Sequence, residues 1–170
     1  YIQTVDIDLK NYHSEITPIG GETNFVMSTY DGGGHSIANW ELHDGSYRRQ
    51  HSAMFGLLHN TATVKHLRLT GVWKNTGEAV HKGFLVAKVN SLTCSVYDIT
   101  TDFEQGTTMS GTYNYKIGVL VGENRGHISG CVIEGLIKLL GHLSIVGGIC
   151  GALDRNGSIT YCSNYGKFAG

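Results

Sequence analysis

The side chains best suited to chemistry are polar and aromatic residues within the stretch 97–116. The candidate ligand-binding residues are Tyr97, Asp98, Asp102, Phe103, Glu104, Tyr113 and Tyr115. Aromatic rings stack on sugar rings, and a pair of carboxylates is what a glycoside hydrolase requires. Nothing in the sequence fixes these carboxylates at a catalytic separation. Carbohydrate binding is therefore favoured over catalysis, and no catalytic residue is predicted.

Other groupings of reactive residues carry a weaker signal. Segment 31–35 (Asp-Gly-Gly-Gly-His) resembles a phosphate-binding loop, but no Lys-Ser/Thr follows it. We interpret it as a sharp corner, where glycines supply positive φ and Asp31 binds a turn amide. The four cysteines form no CxxC motif and the nine histidines form no HxxxH or HExxH motif, so neither a metal site nor a cofactor is predicted.

Composition narrows the class of protein. The chain has 170 residues, a formal net charge of -1 and 16% charged residues, which suits one domain without a basic face for nucleic acid. It contains 24 glycines and one proline, so tight turns are frequent. Stretch 135–153 is apolar, but Lys138, His142 and five glycines interrupt it, and no membrane span is predicted.

The strongest signal is an internal repeat. A segment recurs four times at intervals of roughly 30 residues, most clearly at 117–131 and 146–162, with earlier copies that begin near Ala53 and Gly83. The second strand of each unit alternates apolar and polar residues. Aligning these strands gives one predicted core ladder, which consists of Ile37, Val64, Leu92, Ile128 and Ile159.

Such units cannot bury their apolar faces alone, so they must stack into a continuous core. We therefore predict an all-β fold, a parallel β-solenoid with glycine-rich turns. Cys131 and Cys162 fall at equivalent positions and should stack about 5 Å apart in adjacent coils. A disulfide between them is geometrically conceivable, although packed free thiols are favoured. Cys150 falls in the column of Phe55, Val86 and Val121.

Residues 118–124 (Gly-Val-Leu-Val-Gly-Glu-Asn) and 126–131 (Gly-His-Ile-Ser-Gly-Cys) resemble the GLUG repeat. That repeat has a Gly-Leu-x-Gly strand, an Asn or Gly turn and an Ile-x-x-Cys strand, and residues 146–166 resemble it equally well. Ala87 departs from the pattern where a glycine is expected. The resemblance implies a right-handed β-helix in secreted or surface-displayed proteins of bacteria or viruses, usually without a catalytic role.

These observations define the expected organisation. Residues 1–170 form a single solenoid domain that is a segment of a longer chain, with lead-in coils over 1–50 and four GLUG-like repeats over 51–170, interrupted by an insertion over 97–116. Neither end resembles a cap, so we expect further chain beyond it or end-to-end stacking of copies, or of neighbouring structural proteins, into a filament.

The function expected is that of a non-catalytic structural or adhesive module of a surface-displayed, filament or virion protein. Its location would be extracellular, on the cell surface or in a virion, and cell-surface glycans are candidate partners. The alternative is a carbohydrate-binding or polysaccharide-cleaving β-helix, because β-helices often carry such sites on one sheet face.

Overall fold

The computed structural model describes residues 1–12, 18–21, 23–43, 51–74, 80–103, 108–110, 116–140 and 145–169. Within these ranges the protein is all-β, contains no helix, and forms a parallel β-solenoid of about four turns, which confirms the predicted fold class. The strands are β1 (Ile7–Asp8), β2 (Thr29–Asp31), β3 (Ser36–His43), β4 (His51–Ser52), β5 (Phe55–Leu58), β6 (Thr63–Lys74), β7 (His81–Gly83), β8 (Val86–Val89), β9 (Ser95–Phe103), β10 (Thr108–Ser110), β11 (Lys116–Gly118), β12 (Val121–Asn124), β13 (His127–Ser129), β14 (Val132–Leu140), β15 (Ile145–Gly147), β16 (Cys150–Leu153), β17 (Ser158–Thr160), β18 (Ser163–Asn164) and β19 (Lys167–Ala169).

The strands form three parallel sheets. The first sheet has the order β15-β11-β7-β4, and the second has the order β16-β12-β8-β5. The third sheet contains the long strands β3, β6, β9 and β14 together with the shorter strands β1, β2, β10, β13, β17, β18 and β19. Each turn crosses the three sheets in succession, so equivalent residues of successive turns lie beside one another at the usual strand spacing of about 4.8 Å.

The corner between the first and second sheets depends on a column of glycines. Gly83, Gly118 and Gly147 are register partners at the ends of β7, β11 and β15. A Cβ atom on Gly118 would overlap the carbonyl oxygen of Val121 and lie 2.5 Å from the backbone nitrogen of Gly151. Glycine is required at this position because the backbones of Val121 and Gly151 approach too closely for a side chain. It allows the chain to turn from the first sheet into the second within two linking residues.

The third sheet bends at a column of left-handed residues. His66, Asp98, Gly130 and Tyr161 follow register partners in four successive coils and have φ between 52° and 62°. Segment 31–35 makes the equivalent corner one coil earlier, where Gly33 and Gly34 have φ of 62° and 80°. Asp31 Oδ1 accepts a hydrogen bond of 2.9 Å from the Gly33 amide, which confirms the interpretation of this segment as a corner.

The predicted core ladder needs two corrections. Val64, Ile128 and Ile159 share one column of the third sheet, but Val96 occupies the place predicted for Leu92. Leu92 is 47% exposed, because it lies in a tight turn closed by the Cys94 amide donating to the carbonyl of Ser91.

Ile37 was the other misplaced member of the ladder. It is buried, but its register partner is Leu69, so it belongs to a neighbouring column. Tyr30 of β2 pairs with Val64 and begins the column that was assigned to Ile37. The corner made by segment 31–35 shifts the register, because Gly33 and Gly34 lengthen the path between Tyr30 and Ile37.

The structure places residues 97–103 of the predicted insertion over 97–116 in the third sheet. Strand β9 runs without interruption to Phe103 and pairs with both β6 and β14, so its second half is an ordinary part of the sheet. The register partners His81 and Lys116 are 35 residues apart, against 30 for His51 and His81 and 29 for Lys116 and Ile145. The excess in this coil is therefore only about five residues.

Candidate functional site

An outward-facing group of polar side chains lies at the left-handed corner of the third sheet. We call it the corner cluster, and it consists of Asp31, Lys65, His66, Tyr97 and Asp98. Asp31, Lys65 and Tyr97 are register partners in three successive coils, so the fold alone places them side by side. His66 and Asp98 follow them at the corner, where the positive φ turns each side chain outward from the strand.

Asp31 is the centre of the charge network in this cluster. Its Oδ2 lies 3.2 Å from Lys65 Nζ, and its Oδ1 lies 3.0 Å from His66 Nδ1. The hydrogen bond from the Gly33 amide, together with those from His66 and Lys65, lowers the pKa of Asp31 to about 2. The carboxylate is thus ionised throughout the physiological range, and the hydrogen bond to Asp31 raises the pKa of Lys65.

Tyr97 presents an aromatic ring within this charged frame. The ring of His66 meets it edge-on with 5.4 Å between centroids, and Lys65 Nζ lies 5.8 Å from its centroid. On the far side of His66, Nε2 lies 3.6 Å from Asp98 Oδ2. The cluster therefore combines a partly exposed aromatic ring with fixed hydrogen-bonding groups of both charges, which is a combination suited to polar ligands with apolar ring faces.

The remaining predicted ligand-binding residues lie outside the corner cluster or outside the described residues. Asp102 pairs with Arg68 at 3.5 Å, further along the same strand and outside the corner cluster. Phe103 was predicted to bind ligand but is only 3% exposed, with its ring 4.5 Å from that of Phe84, so it is a core residue. Its inward position follows from strand alternation, because Ile99 and Thr101 of the same strand are also buried. Glu104, Tyr113 and Tyr115 lie outside the described residues.

The sequence pattern alone does not identify Asp31, Lys65 or His66 as partners of Tyr97. Asp31 was interpreted only as a turn residue, and no ligand-binding role was predicted for Lys65 or His66. The signal that could have found them was the repeat itself, since the correct register puts Lys65 directly beside Tyr97.

A second, largely buried group of ionisable side chains links the first and second sheets. We call it the buried ion cluster, and it consists of His51, His81, Lys88, Lys116 and Glu123. Glu123 receives an ion pair from Lys116, a contact of 3.3 Å from Lys88 Nζ and one of 2.9 Å from His81 Nε2. The imidazoles of His51 and His81 stack with 5.2 Å between centroids. The Glu123 carboxylate already pairs with Lys88 and Lys116, so these cations have no need of an external anion. We therefore interpret the cluster as a structural network.

Burial and charge shift the pKa values of this cluster strongly. Burial opposes the ionisation of Glu123, but the contacts with Lys116, Lys88 and His81 outweigh it and lower its pKa to about 2. Burial lowers the pKa of His51 to about 4 and also lowers that of His81. Both kinds of shift make the unfolded chain bind more protons than the folded one in acid. Stability should therefore fall below pH about 6.5 as the histidines charge in the unfolded chain, and again between pH 4.5 and 2.

Glu123→Gln should reveal this linkage. We expect it to lower the free energy of unfolding at pH 7 by about 2 kcal/mol, because Lys88 and Lys116 lose their shared carboxylate. At pH 3 the effect should fall to less than half, since protonation of the unfolded wild-type chain has removed most of the benefit. Urea unfolding at both pH values measures it. Asp102→Asn, which breaks an exposed pair, is the control and should cost less than about 1 kcal/mol at either pH. Equal losses for Glu123→Gln at both pH values would contradict the assignment.

The cysteines lie in columns of equivalent positions on successive coils. Cys131 and Cys162 lie at equivalent positions of adjacent coils and are free thiols. Cys150 shares its column with Phe55, Val86 and Val121, which confirms that assignment.

Among the described residues, no three or more His, Cys, Asp or Glu side chains gather in a way that could hold a metal ion. In the same part of the chain, no helix has the length and apolar character needed to cross a membrane.

The fold and the corner cluster together define a β-solenoid with a polar strip on its outer face. No protein-family model matches the chain, and a search of curated proteins finds no match. A solved structure described as "a putative immunoglobulin A1 protease from Bacteroides ovatus" is similar, with a TM-score of 0.59 and 16% identity. The similarity covers 99% of this chain and 60% of that one. At this identity the likeness shows a shared fold alone.

Proposed function

We propose that this chain is a non-catalytic β-solenoid module that gives a surface-displayed, filament or virion protein a rigid adhesive face, with the corner cluster as its ligand-binding site. The observation that carries the proposal is the in-register placement of Asp31, Lys65 and Tyr97 on three successive coils. Each side chain is fixed by its neighbours before any ligand arrives, so little conformational entropy would be lost on binding.

The chemistry of the corner cluster suits a glycan. Tyr97 supplies a ring that a sugar face can cover, and Asp31, Lys65 and His66 supply acceptors and donors beside it. A sugar presents both features at once, namely an apolar C–H face and a rim of hydroxyl groups. Arg68 and Asp102 extend the polar strip along the strands and would contact additional sugar units of a longer glycan.

Contacts through the outer coils are the second part of the proposal. Large apolar side chains are exposed at both ends of the solenoid, including Ile2, Val5 and Met27 at one end and Leu153, Tyr161 and Phe168 at the other. Exposed apolar groups of this kind favour burial against a neighbour. We propose that they pack against copies of this chain or neighbouring structural proteins in an extracellular, cell-surface or virion assembly.

One observation favours a second candidate function, cleavage of a polysaccharide. Two carboxylates, of Asp31 and Asp98, flank the imidazole of His66 in a surface strip. Against this, the Asp31 carboxylate cannot act as the general acid. Asp31, with its pKa of about 2, holds no proton to give to a leaving group at neutral pH. Release of reducing ends from polysaccharides, abolished by Asp98→Asn, would establish cleavage in place of binding.

Tyr97→Ala tests the adhesive function. We expect at least a tenfold loss of affinity, on the order of 1.4 kcal/mol or more, for whichever glycans a glycan array shows the wild type to bind. Biolayer interferometry with those glycans measures it. The matched control is Tyr165→Ala, which removes another exposed tyrosine ring, 69% exposed, without touching the corner cluster. Unchanged binding by Tyr97→Ala, or an array that retains no protein, would contradict the proposal.

A further inference from the structure

We propose that Cys131 and Cys162 form an inter-coil disulfide when the protein meets a small-molecule disulfide such as oxidised glutathione, and that this bond clamps the coil that contains β17 to β19. This modification site is independent of the corner cluster and of any glycan. It rests on the column that the two cysteines share and on the contacts of their sulfur atoms.

The backbone brings the two residues to bonding distance. The Ser163 amide donates a hydrogen bond of 2.8 Å to the Cys131 carbonyl, and Val132 is the register partner of Ser163. Cys131 and Cys162 are therefore adjacent in one column, at the parallel-strand spacing of about 4.8 Å. That spacing lies inside the range of Cα separations that disulfides adopt, about 4.4 to 6.8 Å.

The sulfur atoms already lie against each other's residues. The Cys131 amide donates to Cys162 Sγ at 3.4 Å. Each thiol makes the same local contact, since Cys131 Sγ donates to the Ser129 carbonyl at 3.2 Å and Cys162 Sγ to that of Thr160 at 3.3 Å. A change of side-chain rotamer, together with a slight approach of the two coils, would join them.

The other two cysteines, both in the described part of the chain, lack such a partner. Cys94 precedes β9 at the register position of Gly126, and Cys150 lies in the second sheet beside Val121. The pairing is therefore specific to one column. Four free thiols in the reduced chain become two in the oxidised one.

The reaction is a balanced double exchange. Cys162, the more exposed partner, attacks one sulfur of oxidised glutathione, so its S–H and the glutathione S–S bond break and one reduced glutathione leaves with the proton. Cys131 then attacks the Cys162 sulfur of the mixed disulfide, and the second glutathione leaves as a thiol with the proton from Cys131. The two protein thiols are oxidised and the glutathione disulfide is reduced.

The second step should be the slower one. Burial raises the pKa of Cys131 to about 12, and the titratable groups that face it are Cys162 and Asp98. Little thiolate is present at neutral pH, so ring closure should accelerate as the pH rises. The product closes a loop that includes β14 to β17, which restricts the unfolded chain and slows the opening of the final coil.

The experiment incubates the reduced chain with oxidised glutathione at pH 8 and maps the peptides by mass spectrometry without reduction. We expect one peptide pair linked through Cys131 and Cys162, and cleavage by trypsin after Lys167 slowed on the order of tenfold. Cys150→Ser should form the same link. Cys162→Ser, a conservative change at a partly exposed site, should form none and show no protection.

Three results would overturn the proposal. One is a glutathione adduct on Cys162 that persists without ring closure, and another is a link between two chains. The third is the retention of all four free thiols by a chain that circular dichroism shows to be folded.

Discussion

Gly118→Ala is expected to lower the free energy of unfolding by about 4 kcal/mol or more, which is a large part of the stability of an ordinary domain. A Cβ at this position would overlap the Val121 carbonyl oxygen and press on the Gly151 amide of the next coil. Both neighbours are backbone atoms held by inter-coil hydrogen bonds, so neither can move without breaking the corner between the first and second sheets. One methyl group therefore disturbs two coils.

Thermal unfolding followed by circular dichroism measures this effect, and Gly21→Ala is the matched control. A Cβ on Gly21 meets no atom within 4 Å, so the same chemical change should alter stability by less than about 1 kcal/mol. If Gly118→Ala were as stable as Gly21→Ala, the tight corner between β11 and β12 would be incorrect.

Phe84→Ala is expected to cost about 3 to 5 kcal/mol. Phe84 is fully buried between the rings of Trp73 and Phe103, whose centroids lie 6.3 Å and 4.5 Å from its own. It belongs to the two-residue link between β7 and β8, so its ring crosses the core from that corner to the third sheet. Truncation leaves a cavity where three aromatic rings met, and the stiff coil backbone cannot collapse to fill it.

Leu92→Ala is the control, because the sequence analysis placed Leu92 in the core and the structure places it in an exposed turn. Its loss should cost less than about 1 kcal/mol in urea unfolding. A larger cost for Leu92→Ala than for Phe84→Ala would restore the original ladder.

The fold class was predictable because the repeat is visible in the residues that the core requires. The column of Cys150 with Phe55, Val86 and Val121 could be predicted from the sequence, since Val86, Val121 and Cys150 each lie three residues after a glycine of the corner. Glycine columns at 83, 118 and 147 mark the same corner. Strong steric demand leaves a strong sequence signal.

The incorrect predictions concern positions where the backbone does not require a glycine. At the bend in the third sheet, His66, Asp98, Gly130 and Tyr161 adopt the left-handed conformation. Only Gly130 is a glycine, the residue that usually indicates this conformation in a sequence. Without that glycine, the strand was predicted to end before Tyr97, and the second half of β9 was assigned to the insertion over 97–116. Leu92 was aligned by its apolar character alone, although a turn hydrogen bond places it outside the column.

The candidate site was predicted only in part for a related reason. Tyr97 and Asp98 were found as aromatic and acidic residues close in sequence, but Asp31 and Lys65 come from other coils and required the exact register. Phe103 was included because composition cannot distinguish inward from outward positions on a strand. Its buried ring shows that alternation along β9, once its start is known, decides which residues face a ligand.

The in-register stacking of coils is the central claim, and methyl NOE spectroscopy on the isotopically labelled chain tests it most directly. The structure predicts cross-coil NOEs along the column Val64, Val96, Ile128 and Ile159. It predicts none between Leu92 and Ile128, because Leu92 lies in the turn before β9. NOEs that join Leu92 to Ile128, or the absence of NOEs between Val96 and Ile128, would contradict the register on which the core, the corner cluster and the thiol pair all depend.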